Sequence, residues 1–272
     1  GGGVITGGSN TYGGAISVND ATLNLYGGNL AGNTASSNNG GAVYITKGTL
    51  TIDGANILGN YAYGSGGGVF ASQSTVTVND GRISYNRACI TDNKGGDGGG
   101  IYLSNCTTTM NGASITHNTN LYDGAGIMNS AGGTLTVNGG TISDNTTTFW
   151  GEWSDYCGGA GICNDSESTL ILNDGTICDN TGVSNGGGVF NRGTFNMNGG
   201  TIEGNICVSL ADNIYKGYGD GVANEAGAVF TMTDGYIGVI HNDLVQDDTC
   251  RGVYNRGAFT MTGGEIFASS DD

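Results

Sequence analysis

The chain has 272 residues, of which 55 are glycine and none is proline, with 12% charged residues and a formal net charge of −16. Eight lysines and arginines against 24 acids make a surface that repels nucleic acid and anionic membrane, which sets both aside as partners. The glycines keep no three-residue period, which excludes collagen, and low charge with regularly spaced aliphatic residues argues against disorder.

Three pieces recur in chain order. The first is a glycine run leading into a short apolar strand: GGAVY (40–44), GGGVF (66–70), GGGIY (98–102), GAGIM (124–128), GAGIC (159–163), GGGVF (186–190) and, near the end, RGVYNRGAFTMTGG (251–264). The second is a strand of alternating character: TLTID (49–53), TVTVND (75–80), TTTMNG (107–112), TLTVNG (134–139), TLILND (169–174) and TFNMNG (194–199). The third closes on asparagine: GANILGN (54–60), DGRISYN (80–86), GASITHN (112–118), GGTISDN (139–145), DGTICDN (174–180) and GGTIEGN (199–205). Together they form a unit of roughly 25 to 35 residues, repeated about nine times.

Alternation assigns the inward side chains. Leu50, Val76, Leu135, Leu170 and Phe195 fall in one column, and Ile52, Val78, Met110, Val137, Leu172 and Met197 in the next. One unit cannot bury such a face alone, whereas stacked units share a continuous core. The pattern predicts an all-β chain in which residues 1–272 form a single right-handed parallel β-helix of about nine three-strand coils, with loop insertions on one edge. At roughly 4.8 Å per coil the rod is on the order of 40 Å long. The closing asparagines, Asn33, Asn60, Asn86, Asn118, Asn145, Asn180 and Asn205, predict an internal ladder in which each amide bonds to the next coil and the turn's unusual dihedrals are tolerated by asparagine. The aspartates of Asp80-Gly81 and Asp174-Gly175 are read as turn residues.

GGAI (13–16) and GGAV (40–43), each followed by a strand and an x-x-N phrase, resemble the GGAI and FxxN repeats of polymorphic outer-membrane proteins. They are similar as well to the β-helical adhesin-like proteins of gut bacteria and methanogenic archaea. The resemblance spans nearly the whole chain, although Ile or Leu stands where the F of FxxN would be and no autotransporter barrel is present. It implies a repeat region exposed on a cell surface or secreted. The start at Gly1 and the lack of a long apolar run fit an excised or processed part of a longer surface protein.

Four stretches break the repeat: residues 87–98, 146–159, 206–220 and 239–250. All leave the coil at one corner, which is where function can be grafted onto a scaffold. The second, TTTFWGEWSDYCGG, holds both tryptophans. Phe149, Trp150, Trp153, Asp155 and Tyr156, with Tyr215 and Tyr218 one insertion further on, are the candidate ligand-binding residues, since flat aromatic faces beside polar groups suit sugar rings or aromatic protein side chains. The competing reading folds these aromatics back over the coil as a satellite core. An outward column of Tyr44, Phe70, Tyr102, Met128, Phe190 and Tyr254 is read as packing between coils.

An enzyme reading has one constellation. Asp144 and Asp179 precede ladder asparagines on successive coils, which places them roughly 5 Å apart, with His117 on the preceding coil. No Lys or Arg cluster is expected beside them, with Arg192 and Arg256 on another corner. No cofactor is expected, since nucleotide, phosphate-loop and metalloprotease motifs are absent; loop-bound calcium at Asp155, Asp212 and Asp220 is the one alternative, although these acids lack the spacing of a dedicated calcium loop. The seven cysteines show no CxxC pair and no zinc spacing. Neither end carries a polar cap, which predicts either a segment of a longer stalk or end-to-end self-association into filaments. The resulting expectation is an extracellular or cell-surface recognition rod that binds a host or microbial surface glycan or protein and does not insert into a membrane. A filament subunit and a polysaccharide hydrolase or lyase are the alternatives.

Overall fold

A computed structural model of the chain describes residues 2–88, 96–148, 158–183, 185–208, 218–239 and 251–268. These residues form a parallel β-helix with three faces, and no helix occurs among them. The first face stacks nine strands, from Ile16–Asn19 through Val43–Thr46 and Ile101–Ser104 to Val253–Asn255. The second is a 17-stranded sheet, and the third stacks eight short strands. Where the sequence suggests three strands per coil, most coils have four, because a bend splits the second face. In one coil these are Ile127–Ser130, Thr134–Val137, Thr141–Ser143 and Thr146–Thr147. Only Thr49–Leu58 and Thr75–Ser84 run through the bend as single strands.

Every pairing is parallel and keeps equivalent residues level, as in Ile101↔Ile127, Ile127↔Ile162 and Ile162↔Val189. Level stacking forces each inward column to be apolar throughout. Leu50, Ile52, Val76, Val78, Leu135, Val137, Leu170 and Leu172 are buried in one continuous core. Phe195 and Phe230 stack inside it with ring centroids 4.7 Å apart. Each fully buried side chain of this size contributes about 1.5 to 3 kcal/mol relative to exposure. Thr108 is the exception in its column: it is level with Val76 and Leu135, and its Oγ1 is buried without a partner.

The seven ladder asparagines are all buried at the corner between the second and third faces. Each of the first six donates from both its backbone N and its Nδ2 to the Oδ1 of the asparagine one coil on, at 2.8 to 3.1 Å. Each Nδ2 also donates to an Ile or Leu carbonyl one coil back, as Asn118 does to Ile83 at 2.9 Å. The turn's unusual dihedral belongs to the residue before the asparagine, not to the asparagine itself. Gly32, Gly59, Tyr85, His117, Asp144, Asp179 and Gly204 have φ of 55° to 62°. The asparagine sits in ordinary backbone because its side chain must point inward to reach its neighbours.

A second ladder runs along the corner between the first and second faces, buried at Asn129, Asn164, Asn191 and Asn224 and ending at the exposed Asn255, with Nδ2 to Oδ1 distances of 2.7 to 2.9 Å. It begins only midway. The level positions in the earlier coils are Val18, Ile45, Ala71 and Leu103. A third ladder, Asn79, Asn111, Asn138, Asn173 and Asn198, lies on the outer surface and is partly or fully exposed.

Burial sets what each ladder contributes. Asn118→Ala strands the Asn86 amide donors and the Ile83 carbonyl away from water, at about 1 to 3 kcal/mol for each orphaned group. Asn138→Ala leaves its partners in contact with water and should cost under about 1 kcal/mol. Guanidinium denaturation of both variants checks this, and equal losses would show that burial does not set the ladder's contribution.

Candidate functional site

Length variation is concentrated at the corner where the chain passes from the third face back to the first. The segment 89–95 follows the strand Arg87–Ala88, 149–157 follows Thr146–Thr147, and 209–217 follows Ile206–Val208. Segment 240–250 falls between Val239 and the first-face strand Val253–Asn255. In other coils the same passage takes only a few residues, as between Asn120 and Gly124. Re-entry is uniform. Gly98, Gly124, Gly159, Gly186 and Gly219 all have positive φ of 62° to 72°. A Cβ on Gly98 or Gly159 would collide with the carbonyl three residues ahead, which explains the glycine runs that open the first-face strands.

Just before those glycines, a level column runs through Asp97, Asp123, Gly158, Asn185 and Tyr218. Here the structure gathers charged groups that the sequence reading leaves apart. Asp123 is buried; its Oδ1 accepts from the Gly158 N at 2.8 Å and its Oδ2 from Arg192 Nη1 at 3.1 Å. The same Nη1 lies 3.4 Å from Asp165 Oδ1, and the guanidinium carbon sits 4.4 Å from the centre of the Phe190 ring. Asp97 Oδ1 accepts from the Asp123 N at 3.2 Å. Arg192 stands in the turn between the first and second faces, on another corner from Asp144 and Asp179 as expected, and its side chain reaches back to the acids at the branching corner. Missed by the sequence reading, the group has a register signal all the same: Asp97 and Asp123 each directly precede a glycine run, and Asp165 and Arg192 each directly follow the closing Asn of ICN or VFN.

The electrostatics follow from the geometry. Burial raises the carboxyls of both Asp97 and Asp123 above the usual range, and Arg192 opposes the rise at both. Asp97 has no hydrogen bond to Arg192 and faces the Asp123 charge, and its carboxyl is pushed up to about 7. Burial works against the Arg192 charge, but the charges of Asp123 and Asp165 and the hydrogen bond to Asp123 outweigh it and hold the guanidinium protonated. Burial, reinforced by Asp123, raises the Cys163 thiol well above its ordinary value, so it stays a thiol. This arrangement ties coils together; with both Asp123 oxygens and one Asp97 oxygen already accepting, it is not an open acid/base pair.

The other sequence-predicted residues divide clearly. Phe149, Trp150, Trp153, Asp155, Tyr156 and Tyr215, with Asp212, lie outside the described residues. Tyr218 is described and stacks on Tyr254 at 4.4 Å. Asp220 is buried; its Oδ1 accepts from the Cys207 N at 2.6 Å and its Oδ2 from the Arg251 N at 3.2 Å. Among the described residues no three His, Cys, Asp or Glu side chains converge to hold a metal ion.

His117, Asp144 and Asp179 do stand in one exposed column, with Ser143 level with Cys178. Each is the left-handed residue of its turn. Asp144 Oδ2 accepts from Ser143 Oγ at 2.7 Å, and His117 rests on Tyr85 at 4.8 Å. Burial, together with a hydrogen bond to Asp179 and the charges of Asp179, Asp144 and Glu203, pushes the Cys178 thiol up to about 12, so no thiolate forms there near neutrality. In the outward column, Tyr44, Phe70 and Tyr102 stack at 5.2 Å, while Met128 and Phe190 are buried with Cys163 and Ala223.

Fold and corner together define a parallel β-helix protein with its length variation grafted onto one edge. Compared with protein-family models, with curated proteins and with solved structures, the chain matches none of them.

The Asp97 shift carries a pH prediction. A carboxyl near 3.8 unfolded and about 7 folded binds its proton more tightly in the folded state. Its effect is constant below about pH 4, and stability is lost as pH rises from about 4 to 7, by on the order of 4 kcal/mol. Asp97→Asn keeps the acceptor oxygen and removes the titration. The variant should melt several degrees higher than the parent at pH 8 and no higher at pH 4. Parallel melting curves across that range would show that Asp97 does not titrate there.

Proposed function

We propose that this chain is an adhesin-like recognition rod, displayed on a microbial cell surface or secreted, that holds a glycan or protein partner through segments carried on one edge and performs no chemistry of its own. The observation that supports the reading most is the confinement of length variation to the passage from the third face to the first. Along the corners bounding the second face, turns are short and buried asparagines repeat. A scaffold under such constraint accepts insertions only where the coil's hydrogen bonds are not interrupted, and insertions on successive coils then line up along one edge. The exposed acids and histidine before the ladder asparagines are the left-handed residues of their turns, which favours a structural role for them over a catalytic one.

The sequence of segment 149–157, with its two tryptophans, makes it the leading contact for a partner. Arrays of host and microbial glycans and surface proteins should retain the parent. A Trp150→Ala, Trp153→Ala variant with an unchanged circular dichroism spectrum should bind about tenfold or more weakly, since truncating an aromatic anchor typically costs 2 kcal/mol or more. Identical profiles would remove these tryptophans from recognition, and no binding by the parent would remove the recognition reading.

A further inference from the structure

The corner between the first and second faces is built in two ways along the rod. From Asn129 onward it is filled by the second asparagine ladder. In the earlier coils aliphatic residues fill the inside, and the turn is made by Asp20, Lys47, Gln73 and Asn105, with φ of 49° to 53°. Glycine would hold this conformation without strain, whereas the Lys47 and Gln73 side chains each cost about 1 to 2 kcal/mol. The next residue in each of the first three turns is small: Ala21, Gly48 and Ser74. A Cβ on Gly48 would collide with the Ala21 carbonyl and meet the Ile45 side chain, so the notch cannot be filled from within.

The result is an open groove of about 310 Å³ that crosses three coils, with Asp20, Lys47 and Gln73 along one side and Thr22, Thr49 and Thr75 along the other. These three threonines are exposed and level with one another. Outward from the groove the pattern continues. Thr51, Thr77, Thr109 and Thr136 form a parallel column two residues on, and Thr107 and Thr134 extend the first. Hydroxyls therefore recur about every 4.8 Å along the rod and about every 6.5 Å across it. Among the described residues, Asp20 and Lys47 enter no ion pair.

We propose that this groove binds a neutral polysaccharide chain laid along the rod axis. The inference deepens the recognition-rod reading and rests on it for the ligand class, but it assigns a second surface independent of the grafted segments. Donors and acceptors in the groove are varied and closely spaced: a carboxylate, an ammonium, an amide and a row of hydroxyls. That set matches the hydroxyls of sugar rings, which succeed one another along a chain at a spacing comparable with the rise of one coil. A polyanion meets a net charge of −16, and one acid and one base in the groove cancel. A peptide adding as a strand would find a free edge only at the first-coil strands Ile16–Asn19 and Thr22–Tyr26 and would run across the rod there, whereas the groove follows the rod axis past strands that in the next two coils are paired on both sides.

The test is depletion of the protein onto insoluble cellulose, chitin and mannan, with affinity electrophoresis in soluble xylan and β-glucan. Three proteins are compared with the parent: Lys47→Gly with Gln73→Gly, Thr49→Val with Thr75→Val, and Trp150→Ala with Trp153→Ala. The glycine pair removes two groove side chains while relieving backbone strain, so lost binding cannot be ascribed to unfolding. The valine pair removes hydroxyls and keeps strand-forming, β-branched shape. The expected result is retention of the parent by at least one of these polysaccharides, weakened roughly tenfold or more in both groove variants and unchanged in the tryptophan variant. Retention of the groove variants equal to the parent, or no retention of the parent, overturns the proposal. Binding lost only in the tryptophan variant overturns it while leaving the recognition-rod reading intact.

Discussion

A buried amide that must find four hydrogen-bond partners is the constraint on which this β-helix depends. Each internal ladder asparagine receives two N–H groups at its Oδ1 and gives two from its Nδ2, all to the coils immediately before and after. Because the partners belong to neighbouring coils, a strand that slipped by one residue would bury an unsatisfied amide and turn its apolar side chains outward together. Hydrophobic columns supply most of the driving force but are permissive about register, since Leu, Ile, Val and Met interchange within them. The asparagines make the register unique. They also need a reversed backbone immediately upstream, which places an exposed left-handed residue in front of each of them. That position accepts Gly, Tyr, His or Asp because nothing but the backbone conformation is demanded there.

Where the chain passes from the third face to the first, this ladder is absent, and segments of very different length are accommodated. Side chains then take over the fastening. Asp220, after segment 209–217, accepts from the Cys207 N, just before that segment, and from the Arg251 N, just after segment 240–250. Asp123 accepts from the Gly158 N at the end of segment 149–157. Each of these carboxylates closes the base of an insertion against an adjacent coil, so the coil is held whatever the insertion does. Such an arrangement lets one edge vary without loosening the core.

The fold was legible because a solenoid repeats its physics. Alternation in TLTVN and its copies identified the inward columns residue by residue, and the recurring asparagine marked one corner. Thr108 shows the limit, as a hydroxyl in a column that is otherwise apolar. The second ladder was harder to see, because Val18, Ile45, Ala71 and Leu103 occupy its positions in the first coils and asparagine takes over only at Asn129. The Asp123 and Arg192 contact joins residues 69 apart in sequence, across the insertion at 149–157. Only counting each residue from its own glycine run brings them together, and pairing by motif does not do that. The groove was invisible for a different reason. Asp20, Lys47 and Gln73 share no side-chain chemistry, and what they have in common is a backbone angle.

The charges complete the division between the two edges. Along the first-face corner of the later coils Asp165, Arg192, Glu225 and Arg256 are level and alternate in sign. Arg192 bonds to Asp165 and Asp123, and Arg256 to Glu225 at 3.1 Å. In a stack with about 4.8 Å between neighbours, like charges in one column would repel at every step, so alternation is the arrangement that lets charged side chains occupy it. Five of the eight Lys and Arg, namely Lys94, Arg192, Lys216, Arg251 and Arg256, follow or fall within the insertions or the corner they adjoin. The early coils use the other solution: rows of threonine that need no counter-charge at all. A rod with a net charge of −16 thus keeps one stretch of its surface close to neutral and rich in hydroxyls, where a polyhydroxylated ligand meets no long-range repulsion and competes only with water.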